Sequence, residues 1–290
     1  MSSAGAVVVN HDAGDALTAC VTSLRAEGVR HVVVVDNASG DDSLERLEKT
    51  DPDVRVVRSG RNLGYGAGAN RGIAVLGDDY VLVCNPDVVV HAGAVEVLCR
   101  ALEADGSVGI AGPRILEPDG SRYPSARAFP SWADAAGHAL LGAALPGNRF
   151  TRRYRMDDLS DDHPSAVDWV SGACFLARRS LLEALGGFDE SYFMYLEDTD
   201  LCFRASRTGF RVLYVPEAVV SHLQGLSTGR RPYRMLVAHH RSALRFAART
   251  TSGWRRAGLP AVALLLGLRL AAVALRQAVV SWRGAAERRD

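Results

Sequence analysis

The feature that most constrains this chain is a series of short β-branched apolar runs, most of them ended by polar residues and separated by stretches with helical spacing. The runs are Ala6–Val9, His31–Val35, Val54–Val57, Tyr80–Val83 and Val108–Ile110, and the helical stretches include Ala16–Ala26 and Ala92–Ala104. Strands that are apolar throughout are covered on both faces, and strands alternating with helices are joined by crossovers. The pattern therefore predicts an α/β fold with a mostly parallel central sheet flanked by helices. Ligands of such sheets bind beyond the carboxyl ends of the strands. The residues found there are Asn10, His11 and Asp12, then Asp36 and Asn37, then Asn62 and Gly64, then Asn85 and Asp87. A second block, Asp168–His222, carries a strand at Ala173–Leu176, a helix at Ser180–Leu185, a Gly186–Gly187 break and a helix beginning near Asp198. Between the blocks, Arg122–Ser165 is rich in Pro and Asp. It is expected to be a mobile connection over an acceptor cleft, with a short helix at Trp132–Leu145.

With 290 residues and 48% hydrophobic content the chain can bury a large core, which excludes a disordered or disulfide-stapled class. Five cysteines without a CxxC pair predict buried thiols in a reducing compartment rather than a thiolate metal site. The N-terminal apolar run is short and lacks a basic flank, so no signal peptide is expected. Charge is uneven: from Ser221 onward there are 13 Arg, no Lys and two acids, giving +11, and the overall +1 leaves −10 for the first 220 residues. A basic tail on an acidic body points to phosphates, of a membrane surface or of nucleic acid.

Four constellations can carry chemistry. Asn85–Pro86–Asp87 places a carboxylate at a strand end, where it could hold Mg or Mn against two phosphates, or simply cap the following helix. Asp36 ends the Val32–Val35 run and could accept the N3 proton of uracil or thymine, or cap the helix after it. Asn62-Leu-Gly64-Tyr-Gly66-Ala-Gly68-Ala-Asn70 is a glycine-rich turn into a helix, but its spacing and its place after the third strand do not fit a dinucleotide fingerprint. Glu197-Asp198-Thr199-Asp200 puts carboxylates at a helix start, where one could deprotonate an acceptor hydroxyl or all could favour the helix dipole. A lone His222 is more often structural than a ligand.

The order and spacing of these pieces resemble the family 2 glycosyltransferases of the GT-A fold, over approximately Gly5–Leu226. The resemblance implies that Asn10, Asp36 and Asn85 bind the nucleotide while Asn62, Gly64 and Asn70 shape its pocket. It implies Asp87 and His222 as ligands of a divalent cation (Mg or Mn), and Asp198, beside Glu197, as the base of an inverting transfer. Asn85 stands where the family usually has the first acid of its metal motif. The segments Asp168–Ala173, Phe193–Asp198 and His222–Ser227 look like the rhamnosyltransferase branch. That branch implies dTDP-rhamnose as donor and a polyprenyl-diphosphate-linked N-acetylglucosamine as acceptor, with Trp169 and Tyr195 as acceptor-stacking rings or core aromatics. Transfer of glucose, galactofuranose or mannose, or nucleotide-sugar binding without catalysis, are the rival readings.

These assignments divide the chain into a catalytic domain, 1–226, with nucleotide-sugar (1–112) and acceptor (113–226) halves, and a basic amphipathic tail, 227–290. In the tail, Leu259–Leu268 is unbroken apolar sequence, but Arg269 and Arg276 interrupt the residues beyond it, short of the ~18–20 residues a spanning helix needs. Arg269, Arg276 and Arg283 recur every seven residues, and Arg241, Arg245 and Arg249 form an earlier stripe. The expectation is interfacial binding to the inner face of the cell membrane by a cytoplasmic enzyme, with packing against the body or a homodimer partner as the alternative and nucleic acid disfavoured.

Overall fold

In the computed structural model, residues 3–129, 145, 147–156, 159–223 and 232–286 are described, and they fall into two compact units, Met1–Phe193 with Glu197–Ser227, and Met194–Leu196 with Thr228–Asp290. Most of the helix expected at Trp132–Leu145 and residues 224–227 of the last motif lie outside the described residues.

The first unit is built on strands β1 (Ala4–Asn10), β2 (Val32–Asp36), β3 (Arg55–Arg58), β4 (Tyr80–Cys84), β5 (Val88–Val90), β6 (Val108–Leu116), β7 (Arg122–Tyr123), β8 (Ala126–Arg127), β9 (Ser165–Val167), β10 (Trp169–Val170), β11 (Cys174–Arg178) and β12 (Arg211–His222). Its helices are α1 (Asp15–Ala26), α2 (Ser43–Thr50), α3 (Tyr65–Ile73), α4 (Ala94–Ala104), α5 (Arg149–Arg155), α6 (Arg179–Leu185) and α7 (Glu197–Arg207). The main sheet runs β3-β2-β1-β4-β11-β6-β12-β5, with β7 on β6 and β9 on β12. Strands β1 to β4 are mutually parallel where they pair, because helices α1, α2 and α3 return the chain between them. β11 lies antiparallel between β4 and β6. The sheet is therefore mixed as well as mostly parallel in its first half.

Every residue of β2 and β4 is buried, as the unbroken apolar runs require. Helix α1 buries Leu17, Cys20, Val21 and Leu24, one stripe at helical spacing. Helix α3 lies unusually close to the sheet: a Cβ at Gly72 would come within 2.4 Å of Val7 Cγ1, and one at Gly68 within 2.9 Å of Val9 Cγ1. The glycines of the turn thus serve helix-on-strand contact. Chain order reverses between β1 and β4, so the crevice beyond Asn10, Asp36 and Cys84 is the switch point at which α/β sheets bind ligands.

Two features depart from the sequence pattern. The sequence around Pro216 separates apolar runs at Val212–Val215 and Ala218–Val220, yet β12 passes through as one strand with a register shift between Val215 and Val219. Proline lacks the ladder N–H, and a bulge accommodates it. Arg122–Ser165, expected as mobile connection, contains β7, β8 and α5, and β8 pairs with β10 to form a separate two-stranded sheet. Two-residue strands are too short to leave a periodic signal.

The second unit contains α8 (Pro232–Thr250), a 3₁₀ turn (Gly253–Gly258) and α9 (Leu259–Ala286). Ser242 Oγ donates to Met194 O at 2.9 Å, and the Tyr195 and His239 rings meet edge to face at 5.5 Å. Arg241, Arg245 and Arg249 are exposed along α8, in agreement with the stripe in the sequence. The helix continues through Arg269, so that Gly253–Ala274 is long and apolar enough, by length and composition alone, to cross a membrane. An uninterrupted apolar count stops at that arginine, whereas a helix carries it as one charge on an otherwise apolar surface.

Candidate active site

The loop after β4 and the end of β12 meet. β5 pairs antiparallel with β12, with His222 opposite Val88, and this register sets the imidazole against the preceding residue. His222 Nε2 lies 3.0 Å from Asp87 Oδ1 and 3.2 Å from Asn85 Nδ2. Asn85 is itself pinned, its N–H donating to Ala173 O at 2.9 Å. Among the described residues no group of three or more His, Cys, Asp or Glu gathers, since the third corner here is an amide. Nε2 and Oδ1 nonetheless sit at the separation expected of two neighbouring ligands on one small octahedral cation, about 3 Å. The other imidazole nitrogen, Nδ1, is buried without a partner. A carboxylate and an imidazole side by side fit a divalent cation whose remaining positions a diphosphate would fill.

Asn10 and Asp36 are paired in the β1–β2 register. Asn10 is 0% exposed, and its amide donates to Asp36 Oδ1 at 3.3 Å and to the hydroxyls of Ser39 and Ser43 at 3.0 Å. The amide NH₂ of Asn10 thus braces Asp36 and the serines after it, while its Oδ1 is buried without a partner. Ser39 Oγ donates to Asp36 Oδ1 at 2.6 Å. The loops after β1 and β2 are tied further, Gly40 N donating to Asp12 Oδ1 at 2.7 Å.

The glycine-rich turn grips a loop distant in the chain. Asn62 is exposed and closes a local turn, accepting from Gly64 N at 2.9 Å. Gly64 has φ 90°, and a Cβ there would lie 2.2 Å from Phe193 O. Asn70 clamps another loop: its oxygen accepts from Phe188 N at 2.8 Å and its NH₂ donates to Phe188 O at 2.9 Å. Gly64 and Asn70 thus hold the segment leading to the acidic motif, a contact that spans more than 100 positions and leaves no local signal.

In the acidic motif, Glu197, Thr199 and Asp200 are buried, while Asp198 is half-buried. Asp200 is taken by Arg204 at 2.7 Å. Burial, and then Asp198 beside it, push the Glu197 carboxyl well above its ordinary range. Asp198 accepts from Gly172 N at 2.7 Å through Oδ2 and from Thr199 N at 2.7 Å through Oδ1. Burial raises its pKa as well, against these hydrogen bonds and the charge of Arg127. Tyr65 Oη donates to Gly172 O, tying α3 to the same backbone. Tyr195 and Leu196, immediately ahead of α7, both have positive φ, 68° and 62°. Such residues cost about 1–2 kcal/mol each and collect at functional sites.

Of the two aromatic candidates, Trp169 is 7% exposed, with Nε1 donating to Ala128 O at 3.1 Å and Arg127 over its ring. A ring so covered offers no open face for a sugar, and it belongs to the packing of β8 on β10. Tyr195 packs against His239.

A switch-point crevice, a carboxylate–imidazole pair and a half-buried aspartate at a helix start are the parts a glycosyltransferase of the GT-A fold would need. The chain belongs to the glycosyltransferase-like family 2, which matches residues 4–245. It is 43% identical over 248 residues to the N-acetylglucosaminyl-diphospho-decaprenol L-rhamnosyltransferase of Mycobacterium tuberculosis, covering 82% of this chain and 80% of that one. In fold it resembles GalNAc-T7 with UDP, GalNAc and Mn2+ (TM-score 0.62, 16% identity, 85% of this chain and 48% of that one). It also resembles the mannosyltransferase PcManGT of Pyrobaculum calidifontis with GDP-Man and Mn2+ (TM-score 0.57, 18% identity, 98% and 80%).

Proposed function

We propose that the chain transfers L-rhamnose from dTDP-rhamnose to a polyprenyl-diphosphate-linked N-acetylglucosamine, with inversion and with a divalent cation. The observation that carries the substrate class is the 43% identity, over four-fifths of both chains, to an enzyme named for that acceptor and sugar. Asp198 takes the proton of the acceptor hydroxyl as its oxygen bonds to the anomeric carbon and the bond to the nucleoside diphosphate breaks on the opposite face. One displacement inverts the centre. Asp36, braced by Asn10 and Ser39, accepts from N3 of the base. Asp87 and His222 would hold the cation, with Asn85 beside them. The cation neutralises charge on the departing diphosphate when bound. The imidazole favours Mn2+ over Mg2+.

Residues 1–226 carry catalysis in this reading, and 227–290 hold the enzyme on the inner, cytoplasmic face of the membrane where the acceptor lies. The exposed arginines of α8, together with Trp254 at 86%, Leu264 at 65% and Leu268 at 61% exposure, suit a surface of phosphates over acyl chains. The deciding experiment is transfer by purified protein from a panel of nucleotide sugars to polyprenyl-diphosphate N-acetylglucosamine, with Mn2+, Mg2+ or chelator. Metal-dependent transfer from dTDP-rhamnose alone is expected. A preference for a glucose, galactofuranose or mannose donor would replace the sugar. Nucleotide binding with no transfer from any donor would move the chain to the non-catalytic reading.

A further inference from the structure

Arg127 sits in an aromatic box that no sequence motif marks. Its guanidinium carbon lies 5.6 Å from the Tyr123 ring centre, 5.5 Å from that of Tyr154 and 5.2 Å from that of Trp169. Its donors go to neutral acceptors, Nε to Pro124 O at 2.9 Å and Nη2 to Tyr123 Oη at 3.1 Å. Among the described residues no carboxylate lies within ion-pair distance of it. A cation enclosed in this way without a counter-charge is expensive unless charge elsewhere compensates. Three rings make up part of the difference.

The box is joined to the acidic motif by backbone. Arg127 pairs with Trp169 across the two-stranded sheet, and three residues beyond Trp169 the N–H of Gly172 donates to Asp198 Oδ2 at 2.7 Å. Between them Ser171 N donates to Ser125 O at 2.7 Å, so β8 and β10 move as one piece under the aspartate. Among the described residues, the titratable groups that interact with Asp198 include Glu197 and Cys202 of its own helix, Tyr65 of α3 and Arg127 of β8. The first three are neutral or negative, and Arg127 brings the positive charge.

We infer that Arg127 is a positioning residue for the transfer: through the β8–β10 ladder and its own enclosed charge it keeps Asp198 ionised and aimed, without touching either substrate. The inference rests on the reading of Asp198 as the base. The direction of the electrostatics agrees, since Arg127 lowers the pKa of Asp198 against the burial that raises it. Removing the charge leaves only the Gly172 and Thr199 hydrogen bonds to oppose burial, so the aspartate holds its proton to higher pH.

The test is a 13C titration of aspartate carboxyl groups in the full chain, the Asp198 signal being identified by its loss in Asp198→Asn, together with the pH profile of kcat/KM. In Arg127→Gln, which keeps a planar donor in the box, the Asp198 midpoint and the acid limb of the profile both move to higher pH. The loss of kcat/KM is about tenfold greater on the acid side than on the alkaline side. Arg127→Lys restores both while still lowering thermal stability. Arg127→Met is a second neutral variant, so the outcome does not hang on one replacement folding. An Asp198 midpoint and acid limb unchanged in the neutral variants overturns the inference and leaves Arg127 as packing alone. A moved midpoint in a chain whose wild type transfers no sugar upholds the coupling and sinks the reading of function instead.

Discussion

His222 Nε2 and Asp87 Oδ1 lie 3.0 Å apart although 135 positions separate them in the chain. The antiparallel pairing of β12 with β5 produces this, and it gives His222 its meaning. His222→Ala should raise the Mn2+ concentration needed for half-maximal activity about tenfold or more while the melting temperature stays near wild type. Asn85→Asp should act in the opposite sense, tightening the metal by adding a carboxylate. A titration of activity against Mn2+ checks both, and an unchanged midpoint in His222→Ala removes that residue from the site.

Asp198→Asn should lower kcat about 10²–10⁴-fold while nucleotide binding, measured by calorimetry, survives. The amide keeps the shape and cannot take a proton. Near wild-type turnover would transfer the base role to another group.

Glu197 has a pH signature of its own. Its folded-state pKa is raised by burial and by Asp198, so the folded chain keeps a proton that the unfolded chain gives up. Stability from this group is present below the ordinary carboxyl pKa and is lost as pH rises toward the folded value. Glu197→Gln should therefore melt near wild type at about pH 4 and increasingly above it as pH rises past that range. Calorimetric melting across pH reads this out, and parallel curves would show that Glu197 is not buried as a neutral acid.

Gly64→Ala should cost about 2–4 kcal/mol in denaturant unfolding. The new methyl would meet Phe193 O at 2.2 Å in a backbone at φ 90°, and neither partner is the end of a flexible side chain. A near-neutral effect would mean that the turn does not interlock with the loop before α7.

Trp254→Ala with Leu264→Ser should reduce co-sedimentation with anionic liposomes, and removal of residues 259–290 should abolish it, with nucleotide binding intact. Undiminished sedimentation of the shortened chain would move the membrane contact to another part of the molecule.

The strands, helices and polar strand ends were legible because burial on both faces leaves unbroken apolar runs and amphipathic helices repeat their stripes. Asp36, Asp87 and Asp198 were legible for the related reason that each sits at the end or start of such an element. The glycine-rich turn was visible as a turn, but Asn70 and Gly64 face a loop that begins more than 100 positions later. Trp169 read equally as an acceptor platform or as core, and the guanidinium of Arg127 decides for core. Arg127 itself lies in a two-residue strand with no periodic signal.

The α/β architecture, the polar edge and the family could be read along the chain, because periodicity and short motifs are local properties. Packing between distant segments is what lets Asn10 brace Asp36, sets His222 against Asp87, buries Glu197 while Asp198 stays half-buried, and encloses Arg127 in three rings. Those facts depend on strand register and on which side chain fills which space, and both are set by packing between segments distant in the chain.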